Sequence, residues 1–74
     1  MAVEIHHCPT CKGFDRKAAK LAAALTEAGH PAITAVGETS QFDVFADGEL
    51  VFSRSEAGRL PQPYEILRAL AERR

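Results

Sequence analysis

Cys8 and Cys11, separated by Pro9 and Thr10, are the only cysteines in the chain. Two thiols at this spacing have two chemistries open to them. They can cycle between dithiol and disulfide, or hold a soft metal ion as thiolates. The ionised sulfur is the reactive species in both, so its surroundings decide what the pair does. The pair follows a short apolar run and precedes a long helical pattern. A sulfur at such a junction is expected against a helix N-terminus, where free N–H groups favour the anion.

Neighbouring residues are candidates for tuning that anion. His6 and His7 abut Cys8; a protonated imidazole would lower a thiol pKa, and both are metal-ligand types. Adjacent strand residues point to opposite faces, so one is expected to be exposed and the other packed, with His7 the stronger candidate. Pro9 is expected to fix the helix start, and Thr10 to hydrogen-bond a sulfur or the backbone. Lys12, beside Cys11, is either a thiol-tuning cation or a solvated helix charge. Two inert thiols are the bland alternative.

The elements that must position these groups follow from pattern. Ala2 to His7 reads as a strand. From Phe14, apolar residues recur at Ala18, Leu21, Ala22, Leu25 and Ala28 with charges opposite them, which is helical spacing. Gly29 suits the left-handed helix end, and Pro31 stops continuation. Ile33 to Val36 is a second strand, and Gly37 to Ser40 a polar turn. Gln41 to Ala46 and Glu49 to Ser53 alternate around Asp47-Gly48, a two-residue hairpin signal. Phe42 and Val44 are expected to share a face, with Leu50 and Phe52 opposite them. Ser55 to Gln62 reads as loop. Pro63 can open a last helix with Tyr64, Ile66, Leu67, Leu70 and Ala71 on its apolar face. Phe14 and Phe45 are expected in the core.

The order is β-α-β-β-β-α. A helix between two strands implies a right-handed parallel crossover, and the hairpin adds antiparallel strands. The expected fold is α/β (α+β): one domain over residues 1–74, with a mixed four-stranded sheet, two helices and a thioredoxin-like core.

Composition narrows the partners. A chain of 74 residues buries only about 60% of its unfolded surface, so its core is small. A net charge of −1 gives no field for nucleic acid, and Arg68, Arg73 and Arg74 read as a solvated helix end. No apolar stretch is long enough for a membrane span, and Met1 to Ile5 does not open a signal peptide. A cytoplasmic setting is expected, where close cysteines are catalytic or metal-binding rather than structural.

These residues also carry a family resemblance. Cys8-Pro9-Thr10-Cys11 follows a first strand. The segment from Phe42 through Asp47-Gly48 to Arg54 resembles the hairpin of the selenoprotein W-like redox family, also called Rdx. Gly58-Arg59-Leu60-Pro61 resembles the loop before that family's final helix. The resemblance covers nearly the whole chain. It implies a thioredoxin-like fold and a C-x-x-C or C-x-x-selenocysteine redox motif, here falling on Cys8 and Cys11. It implies redox work linked to glutathione or thioredoxin, without a cofactor. At Ser40-Gln41-Phe42 the chain departs from it, since the family commonly has glycine two residues before the phenylalanine.

Thioredoxin-type geometry makes Cys8 the exposed attacking cysteine and Cys11 the resolving one, a turn inside the helix. Selenocysteine-containing relatives carry their more reactive atom at the Cys11 position, which points the other way. The absence of proline between Ala32 and Leu60 argues against an ordinary glutaredoxin.

The expected function is a small thiol–disulfide oxidoreductase. Its expected partner is glutathione or a protein thiol or disulfide, and the chain is expected to be a monomer or weak dimer. The alternatives are a copper or zinc carrier, or a binding module acting through a mixed disulfide, each using the same cysteines. Copper-chaperone domains end in a strand, whereas Tyr64 to Arg74 reads as helix. A structural zinc site needs about four ligands.

Overall fold

Strand alternation builds the centre of the molecule. In the computed structural model, which describes residues 2–72, strand β1 (Val3–His7) buries Val3, Ile5 and His7 and turns Glu4 and His6 outward. It pairs in parallel with β2 (Ala32–Val36) and antiparallel with β3 (Phe42–Ala46). Strand β4 (Glu49–Ser53) completes a mixed four-stranded sheet in the order β2-β1-β3-β4. The hairpin turns at Asp47 (φ 51°) and Gly48 (φ 84°), both left-handed, which matches the twist of the flanking strands.

Helix α1 (Phe14–Glu27) crosses from β1 to β2 and buries Ala18, Leu21 and Leu25. It ends in a Schellman turn: Gly29 adopts φ 94°, and the His30 N–H donates to the Leu25 carbonyl at 2.8 Å. The last helix, Pro63–Glu72, packs against α1 and β4, on the same face of the sheet. The core joins Val3, Ile5, Phe42, Val44 and Ala46 to Leu21, Leu25, Ile66 and Leu70.

Several expectations are corrected. A one-turn helix α2 (Arg54–Ala57) occupies the start of the segment read as loop; Gly58 stops it at φ 76°, its N–H donating to the Arg54 carbonyl at 2.7 Å. The last helix is therefore α3. In the hairpin, Val44 faces Phe52, but Phe45 faces Leu50, so Val51 is an extra residue in β4. This bulge leaves Leu50 46% exposed instead of packed with Phe52.

Phe45 is not in the core. It lies on the opposite sheet face, its ring 4.7 Å from that of His6. On α3 the buried residues are Ile66 and Leu70, with Leu67 half-buried, while Tyr64 and Ala71 are exposed. Of the C-terminal arginines, Arg73 and Arg74 lie outside the described residues; Arg68 pairs with Glu72 at 3.5 Å, one helical turn on.

The entry to α3 is also fixed by charge. Glu65 pairs with Arg59 through both carboxylate oxygens and accepts the Gln62 N–H at 2.9 Å. A glutamate three residues into a helix, reaching back to the capping N–H, is half of a capping box.

Candidate functional site

Where β1 ends, its backbone hydrogen bonds pass to the loop before β3. The Gly37 N–H donates to the His7 carbonyl at 2.7 Å, and the Cys8 N–H to the Gln41 carbonyl at 2.8 Å. The loop is tied to itself by Gln41, whose Oε1 accepts the Glu38 N–H at 2.6 Å and whose Nε2 donates to Asp43 at 2.9 Å. Gly37 lies under that amide: a Cβ there would collide with the Gln41 Oε1. Cys8 is thus closed in between the two strand ends, and it is fully buried.

Its sulfur is surrounded by donors. The Cys11 N–H reaches Cys8 Sγ at 3.0 Å, and the Thr10 hydroxyl lies 3.5 Å away. Burial alone would raise the Cys8 pKa. Hydrogen bonds from the Cys11 thiol, the Thr10 hydroxyl and the backbone N–H groups of Ser40 and Thr10 outweigh it, and lower the pKa from 9.0 to about 6. Both cysteines are free thiols, and Cys11 is only half-buried.

The expected geometry is therefore reversed: Cys8 is the enclosed sulfur and Cys11 the accessible one. The helix does not do the tuning as expected either. Helix α1 begins at Phe14 behind a left-handed Gly13, so both cysteines precede it in a tight turn. The Cys11 thiol and the Thr10 hydroxyl, followed by turn and loop N–H groups, take the role assigned to the helix end. Pro9 is exposed in that turn and is not the helix start. Cys11 is linked to the helix only by its carbonyl, which accepts the Phe14 N–H at 3.2 Å.

The other candidates separate cleanly. Thr10 reaches the sulfur. His7 is buried, but its Nδ1–H donates to the Cys8 carbonyl at 3.3 Å, so it holds backbone rather than sulfur. His6 lies on the far face, with its Nε2 3.0 Å from Glu4 Oε1. Lys12 is exposed, and among the described residues its ammonium makes no hydrogen bond or ion pair. No group of three or more His, Cys, Asp or Glu side chains is placed to hold a metal among the described residues. Nor is any of their helices long and apolar enough to cross a membrane.

Sequence reasoning gave no role to Arg54, and it met Ser40 and Gln41 only where the chain departs from the resembled family. Ser40 adopts φ 65°, left-handed for a residue with a Cβ. This is the position at which a glycine was expected from the resemblance, so that departure was its only signal. Arg54 opens α2 and lays its guanidinium 5.3 Å from the centre of the Phe14 ring.

The model of a family described as the Rdx family matches residues 2–72. No curated protein matches the sequence. Among solved structures, a selenoprotein W-related protein from Vibrio cholerae superposes with a TM-score of 0.84 at 18% identity, over 96% of this chain and 92% of that one. A protein from Bordetella parapertussis also gives 0.84, at 20% identity, over 99% and 96%.

Proposed function

The chain belongs to the Rdx family, and from that premise we propose that it is a small thiol–disulfide redox protein in which Cys11 attacks and Cys8 resolves. One observation carries the reading. Cys8 Sγ accepts the Cys11 N–H at 3.0 Å within an enclosed ring of donors, while Cys11 itself meets solvent.

The reaction balances as follows. Cys11 sulfur attacks one sulfur of a partner disulfide, and its thiol proton passes to the neighbouring Cys8 thiolate. The second partner sulfur leaves as a thiolate and takes that proton. Cys8, ionised again, attacks Cys11 Sγ, expels the first partner sulfur as a thiolate and closes the Cys8–Cys11 disulfide. Two electrons pass from the pair to the partner.

The partner in this reading is glutathione or a protein thiol or disulfide. The setting is the reducing cytoplasm, and the chain works as a monomer or weak dimer. No nucleic acid, membrane or cofactor takes part.

The test is thiol-trapping mass analysis of the purified protein equilibrated in graded glutathione redox buffers. A reversible two-electron transition is expected. A pair that stays reduced throughout and copurifies with stoichiometric metal would replace this reading with soft-metal carriage.

A further inference from the structure

Beside the buried sulfur lies a cleft of about 460 Å³, lined by residues 38–41 with Asp43, Arg54 and Ser55. That volume falls within the range of small-ligand sites. It adjoins the dithiol from two sides. Gln41, in its lining, accepts the Cys8 N–H at 2.8 Å, and Arg54 lies over Phe14, whose N–H is bonded to the Cys11 carbonyl.

The charges of the cleft have a pattern. Arg54 is its single cation and is half-buried, and among the described residues no carboxylate pairs with it. Its guanidinium carbon lies over the Phe14 ring, and its N–H donors suit a planar bidentate acceptor. The cleft is also lined by two carboxylates. Asp43 is held by the Gln41 amide, and the Glu38 backbone is held by the same side chain. One unpaired guanidinium and two carboxylates lining the same cleft fit a ligand that carries a carboxylate and an ammonium together.

We propose that this cleft binds the zwitterionic end of a low-molecular-mass peptide thiol or its disulfide, with Arg54 taking the carboxylate and Asp43 and Glu38 the ammonium. The proposal deepens the redox reading by giving the partner a seat beside Cys8 and Cys11. It rests on that reading only for what the bound sulfur then does.

The test separates the two. S-methylglutathione, which cannot exchange disulfides, is titrated into the reduced, isotope-labelled full chain and followed by amide chemical shifts. Saturable shifts confined to the Glu38–Asp43 loop, Arg54 and Ser55 are expected. Arg54→Gln should weaken the affinity about tenfold or more, the loss of a charge-assisted pair. The diester of the same probe, lacking carboxylates, should bind comparably weakly. Absence of shifts in the wild-type chain, shifts elsewhere, or equal binding of the diester would overturn the site. Binding there without oxidation of the cysteines by glutathione disulfide would instead overturn the redox reading and leave the site standing.

Discussion

Ser40 and Cys8 meet across the end of the sheet: the serine holds φ 65°, and its backbone N–H is among the groups that lower the Cys8 pKa. A left-handed backbone costs little for glycine but strains any residue with a Cβ. Ser40→Gly should therefore stabilise the fold by up to about 1 kcal/mol and leave the ionisation of Cys8 in place, since the N–H remains. Ser40→Val should destabilise it, because a β-branched residue tolerates this region worst. Denaturant unfolding checks both; a destabilised glycine variant would contradict the assignment.

The Cys8 thiolate should couple stability to pH. Its pKa lies at about 6 in the fold against 9.0 in an unperturbed thiol. A depressed acid pKa means the unfolded chain binds more protons between those values, so stability rises with pH across that window. The contribution is full above pH 9 and lost as pH falls through about 6. Comparing the reduced protein with Cys8→Ser across this range should show a gap that widens with pH. Thr10→Val and Cys11→Ala each remove a donor and should raise the pH at which thiolate absorbance appears.

The roles of the two sulfurs are separable by trapping. Cys8→Ser keeps the accessible Cys11 and should accumulate a mixed disulfide with glutathione, visible in the intact mass. Cys11→Ser keeps only the enclosed sulfur and should react far more slowly. If the adduct instead builds up on Cys11→Ser, attack starts from Cys8.

Glu65 governs the acid limb. Its hydrogen bonds from Arg59, supported by the Gln62 N–H, lower its pKa from 4.5 to about 2. This contribution is present above pH 4.5 and is lost as pH falls toward 2. Glu65→Gln should flatten the stability profile in that interval, read from unfolding midpoints. An unchanged slope would mean that the pair is not formed in solution.

The core should respond by position rather than by residue type. Leu25→Ala or Ile66→Ala removes a fully buried side chain and should cost about 2–5 kcal/mol. Tyr64→Ala, at a site 68% exposed, should change stability by less than about 0.5 kcal/mol.

Much of this was legible in the chain. Helix α1, the left-handed stop at Gly29, the Asp47-Gly48 hairpin and Pro63 at the head of α3 all follow from local rules, because each is decided within a few residues. The choice between the two sulfurs was not. Which cysteine is enclosed depends on the Gly37–Gln41 loop folding over the end of β1, a long-range contact with no periodic signature. The Val51 bulge was hidden for a similar reason: period-2 alternation assumes an unbroken ladder. Phe45 was misplaced because aromatic residues are more often buried, yet the strand parity already put it opposite Phe42 and Val44. Arg54 went unnoticed because its partner, the Phe14 ring, is distant in sequence.

The bond from the Cys8 N–H to the Gln41 carbonyl has a consequence for the order of events as the protein is made. Cys8 leaves the ribosome early, while Ser40 and Gln41 emerge much later, and pairing between such distant segments is slow to form. Until they arrive, the nascent chain carries two ordinary thiols. The lowered pKa of Cys8 is a property that this protein acquires on folding and gives up on unfolding, so a damaged or half-made copy carries two thiols of ordinary acidity.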